Sequence, residues 1–406
     1  MSESLKTTLH EQATSVVFRP PDVGAIRHAA DRRIRLRRAA ASLAGALAVA
    51  LIGVSVVVLG RPGDPSPVVS PWPVNTVTWA TGSTIHVGAE AVQVGHTVRA
   101  YVRTVAGFAT IDDADNVYSV TAEGVQQIGH ATAAPPFDSD AGEDQARLVA
   151  DTHGTFVGWI GEDKFGWAVL QTYDQATGRL RSYPKPGVTP WRDAVFYAID
   201  GHTGYWGTLA GVYEVDLDSG DERPLTTDEE FRSFELYSVQ NGVLAFRRDD
   251  SFFAGASVDR AKEMIRRGDD VLTLVTPPYR LSPTGAWLSL GVTQLEKLAE
   301  DNYRGVKHSA EVYNTSTGAH ITLDVILDAP QNTALAIPVL WLDDVTVQVV
   351  AVSSDVPFDS QPASVHATLY TCTVPEGSCR LAADLGTVSA NGSNAPVLPD
   401  GRGVSR

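Results

Sequence analysis

The chain of 406 residues is poor in several features, and each scarcity narrows what it can be. Two cysteines, Cys372 and Cys379, are too few for a disulfide-dense scaffold or a cysteine-rich zinc module. No H-E-x-x-H, G-x-S-x-G or phosphate-binding glycine loop occurs, so no common hydrolytic or nucleotide-binding signature is present. His86, His96, His130, His153, His202, His308, His320 and His366 are scattered and form no ligand cluster. No cofactor and no metal are therefore expected, and no catalytic residue can be assigned. Helical periodicity is scarce after residue 74. Long apolar runs are also scarce: one stands out, residues 39–60 (AAASLAGALAVALIGVSVVVLG), without a single charge.

That run organises the reading of everything else. At about 1.5 Å per residue it spans roughly 33 Å, enough to cross a bilayer core of about 30 Å as a helix. It is longer than the core of a cleaved signal peptide and has no A-x-A cleavage pattern behind it. Arg32, Arg33, Arg35, Arg37 and Arg38 crowd its N-terminal side, and only Arg61 marks the other. The positive-inside rule then places residues 1–38 in the cytoplasm and the rest outside a plasma membrane, crossed once. Residues 1–38 carry eight basic against four acidic side chains. With a net charge of −16 overall, the part after the run carries −20. Such a surface repels nucleic acid, and no nucleic-acid partner is expected.

Residues 1–38 read as a basic tail, partly helical, that ends against the inner leaflet; docking to a cytosolic partner is the other use such a tail could have. Residues 61–73 (RPGDPSPVVSPWP) read as a proline-rich stalk. Cys372 and Cys379 flank the turn residues Pro375, Glu376 and Gly377, so two short strands can bring them together. A disulfide is favoured over a zinc pair, which lacks partners, or two free thiols.

Between residues 74 and 390 a pattern recurs. Tyr173-Asp174-Gln175-Ala176-Thr177-Gly178, Val215-Asp216-Leu217-Asp218-Ser219-Gly220 and Tyr313-Asn314-Thr315-Ser316-Thr317-Gly318 each run from a strand end through an Asx residue to a glycine. Looser copies begin at Val120, Val258 and Tyr370, with spacings of 42 to 57 residues. A second tight turn precedes each copy, at Ala106-Gly107, His153-Gly154, Thr203-Gly204, Asn241-Gly242, Thr284-Gly285 and Asp343-Asp344. Strand, tight turn, strand, loop, strand, Asx-Gly turn, strand is the unit of an all-β propeller with four-stranded blades. Six units are counted. The run at 74–95 either adds a closing strand to the last blade or belongs to a degenerate seventh. Residues 391–406 read as a flexible C-terminus.

The stretch LSPTGAWLSL at 281–290 resembles the SPDG-x-W turn of TolB-like and WD40-type propellers, and YDQATG and VDLDSG resemble their outer hairpins. The whole plan is similar to actinobacterial-type single-span membrane proteins with an extracytoplasmic WD40/TolB-like propeller. The resemblance implies a propeller over most of 74–390.

The clusters that could carry chemistry also have structural readings. Asp112, Asp113, Asp115 and Asn116 look like a calcium loop but lack its glycine and distal glutamate, and read as a hairpin turn. Trp159, Trp206, Trp287 and Trp341 read as packing between blades. Insertions at Thr132–Gln145, Leu295–Ala310 and Ser353–Ser364 are where binding would sit on a rigid scaffold. The leading expectation is a non-enzymatic propeller that binds a protein, peptide or glycan outside the cell. The alternatives are an ectoenzyme, a hydrolase or lyase assisted by calcium, and a transmembrane sensor that signals through the tail. Convergence of ionisable residues at a mouth of the central channel would separate enzyme from binder.

Overall fold

The computed structural model describes residues 72–402 apart from 74, 133–145, 164, 166, 185–193, 209–210, 227–233, 250, 267–272, 300–301, 327–333, 357–362 and 390–394. The described residues all belong to a unit that runs from Pro65 to Arg406. Among them no helix is long and apolar enough to cross a membrane. The run at 39–60, the basic tail and the stalk as far as residue 71 lie outside them, as does nearly all of the insertion at 132–145.

Strand pairing defines seven antiparallel sheets, each a simple meander. Blade 1 (Thr78–Gln93) has three strands. Blade 2 (Ala100–His130), blade 3 (Val149–Pro184), blade 4 (Val195–Pro224), blade 5 (Phe234–Arg266), blade 6 (Thr273–Thr322) and blade 7 (Ala334–Ser389) have four each. The expected six blades are therefore corrected to seven. The run at 74–95 does not extend the last blade but forms most of its own. Blade 1 gains an edge partner from the chain's far end: Ala80 and Val397 exchange both backbone hydrogen bonds, at 2.9 Å each. A blade so short offers a weaker repeat signal, because its three strands have only four residues each.

Within a blade, position dictates composition. The first strand of blade 2, Ala100–Arg103, is buried along its whole length because sheets cover both of its faces. The outermost strand of the same blade, Gly124–His130, is mostly exposed. The other outer edges are short, charged or broken by proline, as in Glu222–Pro224 and Lys262–Arg266, which discourages edge-to-edge pairing with other chains.

Apolar clusters fill every seam around the ring. Trp159 and Trp206 are fully buried and Trp341 nearly so, while Trp287 packs partly buried beside Trp341. Two seams close by an aromatic ring set over a glycine. A Cβ on Gly129 of blade 2 would lie 2.4 Å from the Trp159 ring of blade 3. One on Gly158 of blade 3 would lie 1.9 Å from the Phe196 ring of blade 4. Glycine is required at both positions because the neighbouring sheet occupies the space a side chain would take.

The Asx-Gly turns join third to fourth strands as the repeat predicts. Asp174, Asp216 and Asn314 each accept backbone N–H groups from inside their own turn, and Gly178, Gly220 and Gly318 close the turns at positive φ. Cys372 and Cys379 face each other across strands Ser364–Thr373 and Cys379–Ser389 and form a disulfide. The insertion expected at Leu295–Ala310 is not a loop. It continues strands Trp287–Ala299 and Asn302–Asn314 of blade 6, which pair along 13 residues each, so extension of an existing hairpin accounts for the broken rhythm.

Candidate functional site: the mouth and channel of the ring

The tight turns between first and second strands gather at one mouth of the ring, where hydrogen bonds link them from blade to blade. Val105 N donates to Gly154 O at 3.1 Å. The Asp151 carboxylate accepts His153 N at 3.0 Å and Gly201 N of the next blade at 3.2 Å. Asp200 accepts Asn241 N at 2.8 Å and Gly242 N at 2.6 Å, again one blade on. The Asn241 amide donates to Thr284 O at 3.1 Å, and Thr284 N donates to Asp344 at 2.8 Å. The carboxylates thus neutralise backbone donors that tight turns leave without strand partners.

Asp151 is buried, and burial raises its carboxyl pKa above the ordinary aspartate value; the His153 amide and the nearby His153 ring pull it partly back. His153 is exposed at the rim, with Nδ1 3.0 Å from Thr152 Oγ1. His202 does not join it: its Nδ1 lies 2.7 Å from Asp218 within its own blade. Five further histidines also have partners of their own. His86 stacks on Trp79, His96 bonds Thr110 and stacks on Tyr118, His308 bonds Thr293, His320 stacks on Tyr313, and His366 pairs with Asp384. Among the described residues no group of three His, Cys, Asp or Glu is arranged to hold a metal ion.

The acidic run 112–116 is a hairpin turn, as expected. Burial raises the Asp112 pKa, but hydrogen bonds from Asn116, Tyr118 and Ala114 outweigh it and leave the group below the usual carboxylate range. Asp113 pairs with Arg99 at 3.2 Å and Asp115 with Arg147 at 2.7 Å, so each carboxylate has a protein partner.

The first strands line a narrow channel holding a cavity of about 50 Å³. Residues 395–402, expected to form part of a flexible tail, pack against it instead. Gly401 N donates to Tyr101 O of blade 2, while Arg147 N and Leu148 N, at the entry to blade 3, donate to Gly401 O. Arg280, on the first strand of blade 6, donates from Nη2 to Asp400 O at 2.7 Å. Burial pushes the Arg280 guanidinium down to about 10, with Asp400 acting in the opposite sense and Arg402 reinforcing the fall. The tail is held because main-chain groups of three blades meet it, and its own sequence (VLPDGR) gives no regular pattern that would announce this.

Sequence reasoning missed Asp151, Asp200, Arg280 and Asp400. A signal existed for the first two, since an aspartate precedes the turn glycine in Asp151-Thr152-His153-Gly154 and Asp200-Gly201. Arg280 is a lone charge in the stretch TLVTPPYRL, visible but uninterpretable without its neighbours.

The fold and the mouth define a seven-bladed β-propeller whose turn carboxylates tie adjacent blades. Solved structures similar to it include a TolB candidate from Agrobacterium tumefaciens (13% identity, 80% of this chain and 95% of that one, TM-score 0.37). A prolyl endopeptidase is similar at 12% identity over 78% of this chain and 50% of that one, with a TM-score of 0.48. An oligogalacturonate lyase from Vibrio parahaemolyticus is similar at 11% identity over 76% and 79%, with a TM-score of 0.41. No protein-family model and no curated protein sequence matches the chain.

Proposed function

We propose that the protein is a membrane-tethered propeller that acts outside the cell as a non-enzymatic binding module for a protein, peptide or glycan. One span at 39–60 holds it to the plasma membrane, with residues 1–38 in the cytoplasm. The observation that carries the binding reading is the fate of the ionisable groups at the mouth. Asp151, Asp200 and Asp344 converge there, but each accepts a backbone N–H of a neighbouring blade's turn. Groups held this way stiffen a scaffold and are poorly placed to exchange protons with a substrate.

Two experiments test the reading. Protease treatment of intact cells should digest residues after 61; their protection would remove the proposed topology. Immobilised residues 65–406 should retain a specific envelope component, with and without calcium, and D151N should retain it equally.

The ectoenzyme reading has one observation in its favour: a buried Asp151 of raised pKa beside an exposed His153. Turnover of a peptide or glycan panel by the wild type, lost in H153A while the fold persists, would replace the binding reading with this one.

A further inference from the structure

We propose that the channel side of blade 1 is an acceptor site for a short peptide, that residues 395–402 are its resident ligand, and that the same segment of a second copy exchanges into it. The site is separate from the turn mouth and does not depend on the binding reading. The first argument is how the segment is held. Each of the other blades begins with a strand that a tight turn joins to its sheet partner. Blade 1 begins with Thr78–Thr81, and the place beside that strand is filled from hundreds of positions away, by a segment whose Pro399 and Asp400 line the channel with the first strands. Its strand pairing is a single bridge, Val397 on Ala80, whereas the first strand of blade 5 pairs with its neighbour from Phe234 to Gln240. A strand with so short a ladder and no turn to return it is the part of the ring that opens at least cost.

The second argument is that its contacts are those of a bound peptide. Main-chain groups carry most of them. Ala80 and Val397 exchange both hydrogen bonds at 2.9 Å, Gly401 N donates to Tyr101 O at 3.0 Å, and Gly401 O accepts Arg147 N at 2.7 Å and Leu148 N at 3.1 Å. The Arg280 guanidinium adds a bond to Asp400 O at 2.7 Å. In strand addition the main chain supplies affinity and side-chain pockets supply selectivity. Two positions select here. Val397 is buried in one cluster with Ala80, Ile85, Tyr101 and Phe108. Gly401 has a φ of +76°, and a Cβ there would lie 1.9 Å from Leu148 O, so the site demands glycine. It therefore takes a segment with an aliphatic residue four positions before a glycine. Every copy of the chain carries one, which makes exchange between copies reciprocal.

The test uses the full-length chain. A fluorescein-labelled peptide of residues 395–402 (APVLPDGR) is titrated with the G401A variant, whose own segment no longer fits, and with the wild type, whose segment competes at an effective concentration on the order of millimolar. Saturable binding to G401A is expected, at least tenfold tighter than to the wild type. The same peptide carrying Gly401→Ala should bind neither. Separately, A80C and V397C variants are mixed in oxidising buffer, where Cys372 and Cys379 are already joined to each other. A disulfide between the two copies is expected, and the unlabelled peptide in excess should slow its formation several-fold. The A80C/V397C double variant should cross-link within one chain. The mixing experiment decides the matter should G401A fail to fold, and the titration does so should a cysteine variant fail. No difference between G401A and the wild type, equal binding of the Gly401→Ala peptide, a disulfide that forms within the double variant and never between copies, or one between copies that the peptide does not slow would each overturn the proposal.

Discussion

The seam between blades 2 and 3 and the seam between blades 7 and 1 both join apolar packing to a buried glutamine amide, but the chain brings their sheets together at very different cost. In the first, Trp159 is fully buried over Gly129 among Val117, Val157 and Tyr173. A buried amide adds direction: Gln175 donates to Phe108 O and to Ser119 Oγ, each at 2.9 Å. In the second, Thr78 and Gln348 exchange hydrogen bonds across 270 residues, Thr78 N to Oε1 at 3.3 Å and Nε2 to Thr78 O at 3.0 Å, beside Leu340, Leu369 and Val77. Neighbours in sequence meet at little entropic cost, so the buried amide there works on sheets that the chain already holds close together. The two ends of a ring meet only after the whole chain is ordered, and apolar contact alone would not define how far one blade slides along the other. Directional bonds at the closing seam fix that register.

The largest effect is expected from breaking the ordinary seam. Trp159→Ala should cost about 3–5 kcal/mol in chemical denaturation, because the surrounding sheets cannot collapse into the void. Opening the disulfide with a C372A/C379A double variant should cost about 2 kcal/mol, as removing a short cross-link frees the unfolded chain. That loss should leave both seams intact, with unchanged near-ultraviolet circular dichroism. Gln348→Leu should cost about 1–3 kcal/mol by orphaning both buried backbone groups of Thr78. Hydrogen exchange at Thr78 and Gln348 should then rise while exchange at Trp159 does not. Rising exchange at both seams would show that the ring opens as one unit and that the two seams are not independent.

The smallest effect is that of pH. Burial lowers the pKa of His96 and His308 in the folded state below the ordinary histidine value. The unfolded chain therefore binds more protons between those lowered values and about 6.5, and stability rises with pH through that window. It should level off above about 6.5. A His96→Gln/His308→Gln variant should show a flatter melting temperature between pH 5 and pH 7, measured in parallel with the wild type.

The turns were the most legible part of the sequence. Asp174, Asp216 and Asn314 act on their own backbone within four residues, so the chemistry that makes them turns is written locally. The tryptophans were readable as core because so large an apolar surface has few other places to go. Blade 1 was harder to read, since strands of four residues give little repeat to count. The channel was not readable at all: Arg280, Asp400 and Ser238 come from three separate regions of the chain and meet only at the axis.

Local chemistry written in the sequence alone determined the strand-and-turn repeat, the all-β class and the pairing of Cys372 with Cys379. Each depends on residues a few positions apart, whose interaction needs no knowledge of the rest. Tertiary structure alone decided the number of blades, the docking of Val397 on Ala80 and the meeting of Arg280 with the Asp400 carbonyl in the channel. These arise where residues hundreds of positions apart share one axis, and closure of the ring is what brings them there.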